Sequence, residues 1–290
     1  MKNLPNKLPA IFSLLMMLMY PGIMNAAEEA KEEIGRLLQQ ARQAVASLDA
    51  YTGRIRKRER FGRELKTQEF IFKFRHPFQV YIRYIQPCRG REAIFVKGKN
   101  RNRIKVHKGC FPDITTSIQP TGKLALKDNH HPIYHFGLGY LMELAARSFN
   151  TALEHDEGWF APPEQTRLRD RPVWRIQADF PMAGQEIITE EYTSLADIAA
   201  QAGQDSYVLF HANPGLARLE ELAPGTRLFI PRYYGKRAEI HLDRKTLLPV
   251  KISIWDWNDE LYEEYEFRDL NLDPVLDDRD FDPDNPDYGF

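Results

Sequence analysis

From Ala30 to Leu48 apolar residues recur at three- and four-residue steps: Ile34, Leu37, Leu38, Ala41, Val45 and Leu48. That spacing lays them along one face of an amphipathic helix. The period then drops to two. In EFIFKFR (69–75) Phe70, Phe72 and Phe74 alternate with Ile71, Lys73 and Arg75, and QVYIRYI (79–85) follows a His76-Pro77 turn. AIFVKGKN and RIKVHKG predict a hairpin turning between Gly98 and Asn102. A second helix is expected over 139–152, with Leu141, Leu144, Ala145 and Phe149 inward. Strands resume at WFAP, EQTRLR and VWRIQADF, where Trp174, Ile176, Ala178 and Phe180 are expected to share a face. AEIHLDR, PVKISIWDW and LYEEYEFRDLNL complete the series. Closely spaced period-two strands pair antiparallel. The expected fold is α+β: one antiparallel sheet of about ten strands, large enough to curl into a half-barrel, lidded by two helices.

The ends and the charges refine this picture. Lys2 and Lys7, an apolar run from Ala10 to Tyr20, a Pro-Gly break and the small residues Ala26 and Ala27 form a signal-peptide pattern over 1–26, its apolar run too short to span a bilayer. The expected protein is exported, periplasmic or secreted, and soluble after cleavage. Export permits a disulfide between the two cysteines, Cys88 and Cys110, with two buried thiols as the alternative. Charge is balanced in total and divided along the chain. Residues 54–108 hold 18 Lys or Arg against four acids, and residues 256–290 hold 14 acids against Arg268 and Arg279. Basic positions that alternate with apolar ones read as a solvated sheet face set against acidic strands, with a patch for anionic envelope lipid or polymer as the alternative. No nucleic-acid partner is expected.

Candidate chemistry is sparse. The loop DNHHPIYHFGLG carries Asp128, His130, His131 and His135. His131 and His135 have the spacing of a helical metal pair, but Pro132 opposes a helix between them, and the segment reads as turn and cap residues ahead of a helix. His155 and Asp156, one helix later, are the remaining ligand candidates. No metal and no cofactor are expected. Glu264 and Glu266 share a strand face and read as a solvated edge. Serine-hydrolase, P-loop and dinucleotide fingerprints are absent from the sequence, and no catalytic residue is assigned. The aromatic stripe suggests an apolar-ligand surface built from Phe70, Phe72, Phe74, Trp174, Ile176 and Ile252.

The helix, the segments FRHPFQVYIRYI, HHPIYHFGLGYLMEL and IHLDRKTLLPVKI, and the terminal FDPDNPDYGF together resemble a bacterial family of unknown function grouped with the LolA-like periplasmic lipoprotein carriers. The resemblance covers residues 30–188 and 236–290 and includes the Asp-x-x-Thr-x-Leu-Pro-Val-Lys hairpin at 243–251. It implies an unclosed β-barrel lidded by helices, with an apolar interior suited to an acyl chain or lipoprotein-like ligand. Residues 190–231, containing YTSLADIAAQAGQDSYVLFHANPGLARLEELAPGTRLFIP, are similar to a LysM module: strand, two helices, an Asn-Pro turn and a closing strand. The Gly-Asp-Thr that usually follows the opening Tyr-Thr is missing. The similarity implies peptidoglycan, an N-acetylglucosamine polymer, as a partner, with Ser194, Leu195, Asn213, Pro214, Gly215 and Leu216 at the glycan groove. The expected organisation is a signal peptide at 1–26, a half-barrel from 27–189 and 232–290, and an inserted module at 190–231. The expected function is non-catalytic binding in the cell envelope. The alternative is a cell-wall hydrolase, or a metal-dependent envelope enzyme, targeted by the module.

Overall fold

The computed structural model describes residues 20–214, 216 and 221–290. Residues 1–19 of the expected signal peptide lie outside the described residues. Helix α1 (Tyr20–Ala46) begins ahead of the expected Ala30 and runs through Ala26. Its apolar stripe is buried as the periodicity requires, at Ala30, Ile34, Leu37, Leu38, Ala41 and Val45. No described helix is long and apolar enough to cross a membrane.

The main sheet has twelve strands, all paired antiparallel, and stays open. In chain order they are β1 (Ala50–Phe61), β2 (Glu64–Arg75), β3 (Gln79–Gln86), β4 (Glu92–Val96), β5 (Ile104–His107), β6 (Thr115–Ile118), β7 (Trp159–Phe160), β8 (Glu164–Leu168), β9 (Arg171–Asp179), β14 (Arg237–Asp243), β15 (Pro249–Trp255) and β16 (Leu261–Asn271). The first six form a meander. β16 returns beside β1, so the two ends of the chain meet in the middle of the sheet, and β15, β14 and β9 continue outward.

That placement corrects the reading of Glu264 and Glu266. β16 lies between β1 and β15, and both carboxylates are buried. Glu264 is reached by Arg58 at 2.8 Å and Lys251 at 3.1 Å, and Glu266 by Arg169 at 2.9 Å and Arg268 at 2.6 Å. Basic β1 does face acidic β16, with Arg56 opposite Glu266 and Arg58 opposite Glu264. The β14–β15 hairpin is set by Asp243, whose Oδ1 accepts from the backbone N–H groups of Lys245 and Thr246.

The four-residue helix α2 (Lys123–Leu126) and, after a 3₁₀ turn at Ile133–His135, the 17-residue α3 (Leu138–Glu154) follow β6. The helix expected at 139–152 is thus two residues longer at its C-terminal end and one at its start. Helices α1 and α3 cover one face of the sheet, where Leu138, Leu141, Met142 and Phe149 pack with Tyr51, Phe72, Phe74, Ile240 and Ile252 in one core. Gly137 has φ +102°, and a Cβ there would lie 2.4 Å from the Tyr51 hydroxyl oxygen, which accepts the Leu138 N–H at the start of α3. The C-terminal segment packs through Phe281 against Tyr81 and Ile94, and Tyr288 stacks on Tyr81 with centroids 4.1 Å apart. Cys88 and Cys110 are joined in a disulfide, their Cα atoms 5.8 Å apart.

Between β9 and β14 the chain leaves the sheet. β10 (Gly184–Ile188) pairs with β13 (Arg227–Pro231), enclosing β11 (Thr193–Ser194), α4 (Leu195–Gln201), α5 (Ser206–Ala212) and β12 (Glu221–Leu222). The excursion opens at Gly184, ahead of the expected residue 190, and has its own small core of Leu195, Ile198, Leu209, Leu222 and Leu228. Asn213 fastens α5 to β13 with its side chain, donating to the carbonyls of Leu209 and Phe229 and accepting the Phe229 N–H at 2.7 Å. Its φ is −126°, so these bonds, not a left-handed backbone, hold the turn.

Candidate functional site

The helix-covered face of β1, β2 and β16 changes character along its length. Alternation brings Tyr51, Ile55, Lys57 and Glu59 of β1 to this face, beside Phe70, Phe72 and Phe74 of β2 and Glu263, Tyr265 and Phe267 of β16. One end is therefore apolar, and the other carries charge into the interior. Over that second end lie the loop between α2 and α3, with Asn129, His130 and His131, and the excursion, with Asp205 and Tyr207.

The charged groups satisfy one another. Glu59 accepts from Lys57 Nζ at 2.8 Å, from Tyr265 Oη at 2.6 Å and from the His130 N–H at 3.2 Å. Lys57 also donates to Asn129 Oδ1 at 2.6 Å. Glu263 is fully buried and lies across the strand pair from Glu59. Its Oε1 meets His130 Nδ1 at 2.5 Å and accepts from Tyr234 Oη at 2.6 Å, and its Oε2 lies 3.3 Å from His131 Nε2. His130 Nε2 donates to the Arg60 carbonyl at 2.8 Å. His131 Nδ1 lies 3.0 Å from Asp205 Oδ2.

Electrostatics here follow from burial and mutual proximity. Burial opposes charge on His131, but the Glu263 carboxylate beside it, with help from Asp205, raises its pKa well above the ordinary imidazole value. Burial likewise opposes charge on Glu263, yet His131 and His130 hold its carboxyl well below the usual carboxylate range. Burial, together with the Glu263 charge, raises the Tyr234 and Tyr265 phenols well above their ordinary value. His135 is the opposite case: burial, reinforced by the neighbouring His131 charge, lowers it to about 4.

Beside this cluster lies a cavity of about 470 Å³. Its walls are mostly apolar, with Ile55, Phe70, Ile82, Ala93, Val106 and Phe136 among them, and its polar end exposes Lys57, Glu59, Asn129, His131 and Tyr265. The volume falls within the roughly 300–1,000 Å³ of small-molecule pockets. A second space, about 50 Å³, lies between the helices and the far strands.

Of the six residues expected to bind an apolar ligand, only Phe70 lines the 470 Å³ cavity. Phe72 is fully buried against Tyr51 and Phe136. Phe74 borders a separate surface hollow with His76 and Tyr140, and Ile176 and Ile252 line the 50 Å³ space. Trp174 is half-buried on β9 with Arg244 over its ring. The structure thus spreads these six along the whole sheet. The glycan candidates all lie within the excursion. Leu195 is buried in the small core, Ser194 caps α4, Asn213 is engaged with backbone, Pro214 is exposed and Leu216 packs on the small core. Gly215 lies outside the described residues.

The histidine loop brings two of its candidates together. Pro132 does prevent a helix, but the 3₁₀ turn Ile133–His135 folds His135 back beside His131, with ring centroids 5.8 Å apart. Asp205, 70 residues beyond, joins them, whereas His155 and Asp156 lie at the end of α3. Glu59, Glu263, Tyr234 and Asp205 were not singled out from the sequence. The signal available was limited: Lys57 and Glu59 occupy inward positions on β1, in the alternation that also places Tyr51 and Ile55 inward.

No curated protein matches the chain. Among solved structures, a DUF1329 family protein from Desulfovibrio piger is similar, with 12% identity over 89% of this chain and 97% of that one and a TM-score of 0.37. The lipoprotein LppX of Mycobacterium tuberculosis matches with 11% identity over 84% and 98% and a TM-score of 0.39. A LolA superfamily protein from Nitrosomonas europaea matches with 10% identity over 85% and 96% and a TM-score of 0.29. All three TM-scores lie below 0.5, and no residue role passes from these structures to this chain. The family of proteins of unknown function designated DUF1571 matches residues 48–200 and 229–290, which include Lys57, Glu59, His130, His131, His135, Tyr234 and Glu263 and leave out Asp205. By that match, over most of its length, the chain belongs to DUF1571.

Proposed function

We propose that this protein is a non-catalytic binding protein of the cell envelope that holds a single-tailed amphiphile, its acyl chain in the 470 Å³ cavity and its polar head at the Lys57–Glu59–His131 end. The observation that carries this reading is the cavity itself: apolar walls on strands β1 to β5, a polar patch at one end, and a lid formed by α2 and the loop before α3. Apolar burial at about 25 cal/mol per Å² supplies the affinity, and a few placed polar groups fix orientation. The Cys88–Cys110 disulfide supports an extracytoplasmic location. Native mass spectrometry of protein purified from a bacterial envelope tests the proposal. One amphiphile per chain is expected, and consistently ligand-free protein that also refuses added fatty acid would refute it.

Association with peptidoglycan is a second, separate proposal for the excursion, supported by its strand–helix–helix–strand order between the β10 and β13 pair. Sedimentation with insoluble peptidoglycan tests it. Wild type should pellet, and a variant with residues 184–231 replaced by a short Gly-Ser linker should stay in the supernatant.

A further inference from the structure

His131, His135 and Asp205 bring two imidazoles and a carboxylate together, with one candidate ligand atom from each within 4.8 Å of the others. Each group is held by something outside the trio. His131 Nε2 faces the Glu263 carboxylate at 3.3 Å, and the Tyr234 proton is already given to Glu263, so Nε2 is the nitrogen that carries hydrogen. That leaves Nδ1 turned toward Asp205. A carboxylate on the far nitrogen is the arrangement that orients metal-binding histidines and raises their basicity. Asp205 is held in the same way: its Oδ1 accepts the Tyr207 N–H at 3.0 Å at the start of α5, which points Oδ2 at His131. The His135 ring lies flat on Tyr140, centroids 3.8 Å apart, and its Nδ1 is buried without a hydrogen-bond partner among the described residues.

We propose that His131 Nδ1, His135 and Asp205 bind a divalent first-row transition ion such as Zn²⁺, with the remaining coordination position turned toward the cavity. Two imidazoles and one carboxylate suit zinc, and three protein ligands leave one tetrahedral position free. His131 and His135 both line the cavity wall, so an oxygen donor on a ligand's head group would complete the coordination there. The charge also fits. Asp205 and Glu263 are both buried, and a cation on His131 Nδ1 would place positive charge directly beside the Asp205 carboxylate. The second acid–histidine group, Glu59, His130 and Glu263, is closed by its own hydrogen bonds to Lys57, Tyr265, Arg60 and Tyr234.

The test is equilibrium dialysis of the purified protein against Zn²⁺, paired with the visible absorption of bound Co²⁺. Wild type should bind one ion per chain with the intense bands of a low-coordinate Co²⁺ site. His135→Ala should weaken binding at least tenfold while thermal unfolding stays cooperative, because that side chain is only partly buried and makes no hydrogen bond through Nδ1 among the described residues. Asp205→Asn should do the same, although loss of its cap lowers stability. His155→Ala, at the end of α3, should bind as wild type does. Absence of stoichiometric binding, or binding undiminished in His135→Ala, would overturn the proposal and mark any bound ion as adventitious. Uptake of a fatty-acid probe by metal-free protein is read separately, so failure here leaves the apolar-ligand reading standing and the reverse also holds.

Discussion

The two ends of the helix-covered face share strands β1, β2 and β16, yet they are built on opposite terms. At one end Phe72 and Val80 are packed into the core with α1 and α3, and toward the far strands Ile240 and Ile252 line a space of only about 50 Å³. At the other, Lys57, Glu59, His130, His131 and Glu263 are buried beside a cavity of about 470 Å³. Packing alone explains the first end. It does not explain the second, because desolvating charges costs several kcal/mol per ion and a hydrophobic replacement often serves stability equally well. The difference separates what holds the fold from what the fold presents to a ligand.

Four measurements would break or sharpen that comparison, the largest effect first. Glu263→Ala removes the common partner of His130, His131 and Tyr234, and urea unfolding should show a loss of roughly 3–5 kcal/mol, as for other broken buried pairs. Phe72→Ala should cost about the same, roughly 3–5 kcal/mol, through its cavity, but it should leave ligand uptake intact where Glu263→Ala does not. If both variants lose uptake in proportion to stability, the two ends are not functionally distinct. Asn213→Ala leaves the Phe229 N–H without its acceptor and should cost about 1–3 kcal/mol, seen as lost hydrogen-exchange protection in α5 and β13 while the main sheet is unchanged.

The fourth is pH dependence, the smallest effect and opposite in sign for neighbouring residues. Because the folded value of His131 is raised, its contribution is fully present below the ordinary imidazole value of 6.5 and is lost as pH climbs through the folded value. Glu263 is depressed, so its contribution is present above 4.5 and is lost as pH falls through its folded value. His135 is lowered to about 4, so the unfolded chain takes up the proton first and stability falls between pH 6.5 and 4. Denaturation of His135→Gln across that window should show a flatter acid limb than wild type. An identical limb would remove His135 from the account.

What the sequence made legible follows the same division. Period-two and helical apolar spacing located α1, α3, the β4–β5 hairpin and the Phe70–Phe72–Phe74 stripe, because each pattern is local and burial acts on it directly. The polar cluster was not legible. Its members come from β1, the loop after α2, α5, the segment before β14, and β16, and only the return of β16 beside β1 places Glu263 across from Glu59. Glu264 was misread for that reason: its solvent exposure depends on whether β16 is an edge or a centre, which alternation does not encode. His135 was set aside on sound helical grounds, and a 3₁₀ turn achieved what a helix would not.

The central claim is that the cavity receives an apolar chain, and blocking it tests this most directly. Ala93 sits on β4 in the cavity wall, opposite Ile82 and Val106. Titrated with a fluorescent fatty acid, wild type should bind one probe per chain with saturation. Ala93→Trp, which fills the cavity, should lose that binding while unfolding cooperatively, and Ile188→Trp, on exposed β10, should bind as wild type does. Equal uptake by wild type and Ala93→Trp, or none by wild type, would contradict the account.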